Sequence, residues 1–143
     1  KIVNKIIDNR TLKPIDTTYE LVNTIDFLVP AKVKNQFLAR VFQALRIEVN
    51  QEMAALMELL SQIPKCLKKG GVVVVITYHS LEDRLVKNFF KSGNFDGVLD
   101  KDFFGVISKP FTLINKKPIT PSPQETKTNP RARSAKLRIA KLN

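Results

Sequence analysis

The residues best suited to chemistry lie in a short polar turn at 77–80 (TYHS). The turn follows the β-branched run at 72–76 and precedes a helix predicted over 81–91. In open α/β sheets, ligands bind beyond the carboxyl ends of the strands. The imidazole of His79, the hydroxyl of Ser80 and the free N–H groups of a helix start suit an anion or the polar edge of a base. The alternative is structural, with Ser80 as the N-cap, His79 bonded locally, and Glu82, Asp83 and Arg84 on a solvated helix face.

A second candidate is the basic segment 129–136 (NPRARSAK). Two arginines two residues apart point to the same side of an extended chain, and guanidinium groups suit phosphates and base edges. The alternative is a basic loop that holds the last strand through acidic neighbours. The nucleic-acid-binding candidates of this segment are Asn129, Arg131, Arg133, Ser134 and Lys136.

A polar stripe on a predicted long helix gives a weaker candidate. Gln43, Arg46 and Asn50 are spaced three and four residues apart and share one helix face. Arg46 could contact RNA from this face. The alternative is a solvated face with no ligand.

Charge is concentrated in the last quarter of the 143-residue chain. The formal net charge is +11, of which residues 109–143 contribute +8, from nine Lys and Arg against Glu125 alone. Such a segment is an electrostatic footprint for phosphates, although it could also be a solvated tail.

Several classes of protein and site are excluded by composition. No apolar run reaches the ~18 residues of a membrane span. One Cys and one His leave no disulfide framework, Cys-based zinc finger or His-cluster metal site. There is also no Gly-rich phosphate loop, dinucleotide fingerprint or nucleophile elbow. Cys66 reads as a small core residue.

The pattern of elements favours an α/β domain. Residues 1–30 are predicted helical, with a capping box at Thr17 and Glu20. One long amphipathic helix is predicted over 38–63, and Pro64 is predicted to break or kink it. The run at 72–76 predicts a strand buried on both faces, as in a doubly wound parallel sheet. Further strands are predicted at 103–108, at 111–114 and, antiparallel near an edge, at 135–139.

The chain resembles the RsmH (MraW) family of bacterial ribosomal RNA methyltransferases in three stretches that occur in the family's order. These stretches are 42–47 (FQALRI), 70–84, which begins with Gly70-Gly71 and ends in YHSLEDR, and 129–138 (NPRARSAKLR). The resemblance covers nearly the whole chain from about Thr17. It implies a Rossmann-like class I methyltransferase sheet with an inserted helical domain. Residues 1–36 would then be part of the helical insert, and 37–143 the C-terminal part of the methyltransferase domain.

The resemblance also implies an activity. The family transfers a methyl group from S-adenosylmethionine to N4 of a cytidine in small-subunit ribosomal RNA, in the cytoplasm and without a membrane partner. Its cofactor-binding motifs match no position here, so no cofactor-binding residue, metal or catalytic base is assigned. We expect this chain alone to be inactive, His79 and Ser80 to lie near the target base, and the basic segment to contact RNA. Whether the protein forms a homodimer is not decided by the sequence.

Two other interpretations remain. The first is a stand-alone basic RNA-binding module without catalysis. The second is a helical interaction fragment whose long helix pairs with another chain. Salt-dependent RNA binding would favour the first, and concentration-dependent helicity the second.

Overall fold

The computed structural model describes residues 1–101, 103–105, 107 and 109–143. The chain divides into two compact units, Lys1–Asn50 and Gln51–Asn143. None of the described helices is both long enough and apolar enough to cross a membrane.

The first unit is helical, as predicted. It contains α1 (Ile2–Leu12), α2 (Thr18–Ile25) and α3 (Lys34–Val49), with two short 3₁₀ turns between α2 and α3. The predicted capping box is confirmed, because the Thr17 hydroxyl accepts from the Glu20 N–H and the Glu20 carboxylate accepts from the Thr17 N–H. Ile25 at the end of α2 is fully buried.

The long helix predicted over 38–63 is two helices. α3 ends at Val49, and α4 runs from Glu52 to Cys66. Gln51 lies between them with φ of 53°, in the left-handed region that ends a right-handed helix. The apolar spacing continues across this junction, but Val49, the last residue of α3, is 80% exposed and does not belong to a buried helix face.

Two smaller expectations concern the end of α4. Pro64 does not break the helix, which continues for two residues to Cys66. Cys66 is exposed and free rather than in the core. Cys66 is the last residue of α4, where the helix leaves the core cluster that contains Leu60.

The second unit contains a three-stranded sheet. Its strands are β1 (Val72–Thr77), β2 (Phe111–Leu113) and β3 (Lys136–Leu142), in the order β1-β3-β2 with antiparallel pairing throughout. The helices α5 (Ser80–Ser92) and α6 (Pro123–Thr128) complete the unit with a 3₁₀ helix at Pro130–Ser134. The predicted helix at 81–91 and strand at 111–114 are confirmed.

The core lies on one face of this sheet. Val86, Phe89 and Phe90 of α5 pack with Leu60 of α4. Phe111 of β2 and Ala140 of β3 complete the cluster from the sheet, and the partly buried Val73 and Val75 of β1 pack against it. The predicted mixture of helices and strands around one sheet is therefore confirmed.

Three strand predictions need correction. Val72, Val74 and Ile76 of β1 are about half exposed, so β1 is not buried on both faces. Its described partner is antiparallel rather than parallel, and β3 lies in the centre of the sheet rather than near its edge. The strand predicted at 103–108 falls partly on residues 106 and 108, outside the described part. Within that part, Lys101 and Ile107 form an isolated bridge.

Candidate functional site

Strand pairing brings the two predicted motifs to one end of the sheet. Thr77, the last residue of β1, pairs with Lys136, the first residue of β3. The turn at 78–79 therefore leaves the sheet where the basic 3₁₀ helix Pro130–Ser134 enters it. Residues more than fifty positions apart in the sequence meet here because β1 and β3 are antiparallel neighbours.

His79 is the N-cap of α5. Its Nδ1 accepts a hydrogen bond from the Glu82 N–H at 3.3 Å. In return, the Glu82 carboxylate accepts from the N–H groups of Tyr78 and His79 at 2.8 and 3.2 Å. The predicted N-cap was Ser80, which instead is the first helical residue, with its side chain exposed. The extended backbone of His79 and the spacing to Glu82 place the imidazole, not the hydroxyl, over the free N–H groups.

This cap fixes the chemistry of the imidazole. Because Nδ1 accepts a hydrogen bond, the proton of the neutral ring lies on Nε2. Nε2 is buried without a hydrogen-bond partner, 3.3 Å from the Glu82 carboxylate. In this tautomer the ring offers a donor at Nε2 and no free lone pair.

Three potential ligand residues surround this position. The ligand atoms of Glu52, His79 and Glu82 lie within 4.8 Å of one another. Coordination by Nε2 would require the proton to leave that nitrogen, and coordination by Nδ1 would break the cap. The arrangement therefore suits a hydrogen-bonded cap better than a metal centre.

Behind the turn, α5 is bound to β3 by a buried ion pair. Arg138 donates from Nε and Nη2 to the two carboxylate oxygens of Asp83, at 2.7 and 3.1 Å. Lys136 adds a contact of 3.4 Å to the same carboxylate. Burial raises the pKa of Asp83, but the hydrogen bond and charge of Arg138, with those of Lys136, outweigh it and hold the pKa below its usual value.

The basic segment has a different shape from the predicted extended chain. It folds as a 3₁₀ helix in which Ala132 is buried, while Arg131 and Arg133 are exposed on either side of it. A 3₁₀ helix turns about 120° per residue, so residues two apart do not point the same way. The prediction that the two arginines share one side is therefore wrong.

The other candidates differ in exposure. Asn129 and Ser134 are exposed at the two ends of the 3₁₀ helix, and Lys136 is half-buried in its contact with Asp83. Arg46 is exposed on α3, which belongs to the first unit. The structure thus brings together His79, Ser80 and the start of β3.

Two features of the site, the His79 cap and the Asp83–Arg138 ion pair, were not predicted, although the sequence contains signals for both. His79 and Glu82 have the spacing of a capping box, but histidine is not among the usual capping residues. Arg138 shares its strand face with the buried Ala140, so that it needed a buried counter-charge. Asp83 supplies that charge.

Comparison with known proteins gives one family over the whole chain. The family model described as "MraW methylase family" matches residues 1–143. A relative from Parabacteroides distasonis is 51% identical over 140 residues, and one from Bacteroides fragilis is 52% identical over 140 residues. Each match covers 98% of this chain and 46% of the relative. A relative from Flavobacterium johnsoniae is 51% identical over 139 residues, covering 97% and 46%.

All three relatives carry the name Ribosomal RNA small subunit methyltransferase H. The chain spans about half the length of these curated relatives, at 46%.

Proposed function

Because the chain belongs to the MraW methylase family, we propose that the complete protein methylates small-subunit ribosomal RNA. The names of its relatives support this substrate. The finer proposal, taken from the family resemblance, is transfer from S-adenosylmethionine to N4 of a cytidine, in the cytoplasm, on a Rossmann-like sheet. The activity is assigned to the complete protein, and the 143-residue chain alone is expected to be inactive.

The observation that carries this proposal is the meeting of two motifs at one end of the sheet. The β1–β3 pairing places the turn at His79 beside the entry of the basic segment into β3. Arg131 and Arg133 are exposed there, without an ion pair in the described part of the chain. Exposed guanidinium groups at the carboxyl end of a strand suit the phosphates that flank a bound base.

The basic clefts of the second unit do not fit S-adenosylmethionine, which supplies an electrophilic methyl group on a sulfonium cation. Two clefts in the second unit are lined by lysines, Lys91, Lys109 and Lys116 in one, and Lys69 and Lys141 in the other. Ammonium groups repel a sulfonium cation. We therefore assign no residue of this chain to the cofactor.

The residues of this chain hold the RNA and order the turn. The N4 lone pair of cytidine is delocalised into the ring, so the amine must be held in line and its proton accepted as charge develops. His79 does not supply that acceptor in its capped tautomer, because Nδ1 is engaged and Nε2 carries the proton. We propose a positioning role for His79, and contact with the RNA for Ser80, Arg131 and Arg133.

Paired substitution of the arginines tests this proposal. In the complete protein, Arg131→Ala with Arg133→Ala is expected to weaken binding to small-subunit ribosomal RNA about tenfold. The slope of log K against log salt should fall by about 1 to 2, and S-adenosylmethionine binding should not change. Arg10→Ala with Arg40→Ala removes the same charge from exposed helix positions and serves as the control. Unchanged RNA affinity would remove the two arginines from the interface.

Product analysis tests the reaction itself. Nucleosides from RNA treated with the complete protein and S-adenosylmethionine should contain N4-methylcytidine, identified by mass spectrometry. RNA binding without any methylated nucleoside would favour the second candidate, a basic RNA-binding module. That candidate is supported by the +8 charge of residues 109–143.

A further inference from the structure

A second basic surface lies at the opposite end of the sheet from His79. We propose that it binds the phosphate backbone of the RNA substrate at a distance from the target base. This inference rests on the proposed function and adds a contact that neither predicted motif contains. The surface, here called the lysine surface, consists of Lys69, Lys91, Lys109, Lys116 and Lys141.

The first part of the lysine surface is a cleft between the end of α5 and β2. The cleft measures about 250 Å³, and its lysines are Lys91, Lys109 and Lys116. Phe90 and Phe111, both buried in the core, form its floor. A rigid floor beneath three ammonium groups holds their backbone positions fixed, which lowers the cost of ordering a ligand.

The second part is a cleft of about 330 Å³ beside the first, lined by Lys69, Gly70 and Lys141. Thr112 and Asn143 line both clefts and so form their common wall. The Thr112 hydroxyl donates to Asn143 Oδ1 at 2.6 Å, and Asn143 Nδ2 donates to the Lys109 carbonyl at 2.7 Å. The two clefts therefore form one continuous basic surface.

The strand register places Lys141, and Lys69 beside Gly70, away from the His79 turn, while Lys116 reaches the surface from the segment after β2, which pairs with Leu137. Val72, the first residue of β1, pairs with Lys141 near the end of β3, whereas Thr77 pairs with Lys136. The six residues of β1 span about 20 Å. A nucleic-acid strand needs several nucleotides to cover that distance. A long RNA can therefore reach both ends of the sheet, whereas a single nucleoside cannot.

The chemistry of the lysine surface favours phosphates. All five lysines are exposed, and none forms an ion pair with a carboxylate in the described part of the chain. No acidic residue is among the side chains lining either cleft, as far as the described residues show. Lysines present point charges without the planar fork that reads a base edge, so they suit sequence-independent contact with a backbone.

Charge removal from the lysine surface tests the inference in the complete protein. Lys116→Gln with Lys141→Gln removes one ammonium group from each cleft. With transcribed small-subunit ribosomal RNA as the probe, affinity should fall about tenfold, and the salt slope should decrease by about 1.5. Lys32→Gln with Lys87→Gln removes the same charge from exposed positions outside the surface and should change affinity less than twofold. The charge-preserving pair Lys116→Arg with Lys141→Arg should bind as the wild type does.

The outcomes separate this inference from the proposed function. If the wild type binds and methylates the RNA while the glutamine pair at 116 and 141 binds it equally well, the inference alone is overturned. Equal weakening by the control pair would also overturn it, since the effect would then be one of net charge. If the wild type neither binds nor methylates the RNA, the proposed function fails first. Thermal unfolding of each variant, expected to match the wild type, confirms that the substituted proteins are folded.

Discussion

At the residue scale, the molecule uses its single histidine to order a turn. The neutral imidazole of His79 accepts the Glu82 N–H through Nδ1, while Glu82 returns two hydrogen bonds to the turn. This exchange satisfies N–H groups that a helix start otherwise leaves free. It also explains why a lone imidazole at a strand end is not by itself evidence for a general base.

Two substitutions at His79 test its role as the N-cap of α5. His79→Ala should lower the free energy of unfolding of the complete protein by about 1 kcal/mol, since the acceptor for the Glu82 N–H is lost. His79→Asn should restore most of this stability, because asparagine is a strong N-cap residue. Urea unfolding measures both variants. An Asn variant that is as unstable as the Ala variant would contradict the capping role.

At the element scale, a buried ion pair joins α5 to β3. The side chains of Asp83 and Arg138 are 11% and 6% exposed, and the guanidinium binds the carboxylate with two hydrogen bonds. Neither charge can be left alone at this depth without a large desolvation cost. The pair therefore fixes the start of α5 against the strand that follows the basic segment, which orients the candidate site.

Removal of one charge should expose this dependence. Asp83→Asn is expected to lower the free energy of unfolding by about 3 to 5 kcal/mol, because Arg138 stays buried without a counter-charge. Asp83→Leu with Arg138→Met removes both charges and should recover much of that loss. Urea unfolding of the complete protein at neutral pH provides the comparison. A double variant less stable than Asp83→Asn would show that the ion pair stabilises the fold beyond neutralising its own two buried charges.

The same pair predicts a pH dependence. Asp83 has a pKa below its usual value in the folded state, so its contribution is complete above the unfolded pKa of about 3.9 and is lost as pH falls through the folded pKa. The stability difference between wild type and Asp83→Asn should therefore be full at pH 7 and shrink below about pH 4. Unfolding curves across this range measure it. A difference that stays constant in acid would show that Asp83 has the same pKa in the folded and the unfolded protein.

The sequence predicted the type of most elements better than their limits or partners. The capping box at Thr17, the helix α5 and the strand β2 followed from local spacing, and local spacing is what a sequence reports directly. The junction at Gln51 was missed because the apolar spacing continues through it. The central position of β3 was missed because strand order depends on distant pairing, which no window of residues contains.

Substitution of Gln51 distinguishes two helices from one. Gln51 has φ of 53°, a conformation that glycine adopts without steric cost. Gln51→Gly should therefore be more stable than Gln51→Ala, which removes the same side chain, by up to about 1 kcal/mol. In a continuous helix, glycine would instead be about 1 kcal/mol less stable than alanine. Thermal unfolding of the complete protein gives the sign of this difference, and a Gly variant less stable than the Ala variant would contradict the junction.

At the scale of the whole molecule, the sheet has one packed face and one open face. α4 and α5 cover the side of Val73 and Val75, while Val72, Val74 and Ile76 are 50%, 53% and 52% exposed. β1 is also an edge strand of the described sheet. The run of β-branched residues at 72–76 is typical of a strand that is buried on both faces. The composition of β1 thus indicates a strand with two buried faces, whereas the described residues cover only one of them.

The open face predicts how the 143-residue chain behaves alone. An unpaired edge next to three half-exposed apolar side chains favours association between copies. We expect the apparent mass of the isolated chain to rise with concentration in sedimentation equilibrium. Val74→Lys with Ile76→Lys should reduce this rise, because two charges would be desolvated at the contact. Leu12→Lys, at an 88% exposed position on α1, adds a charge away from the sheet and should leave association unchanged. A chain that stays monomeric at every concentration, or one that Leu12→Lys disperses equally well, would contradict association through β1.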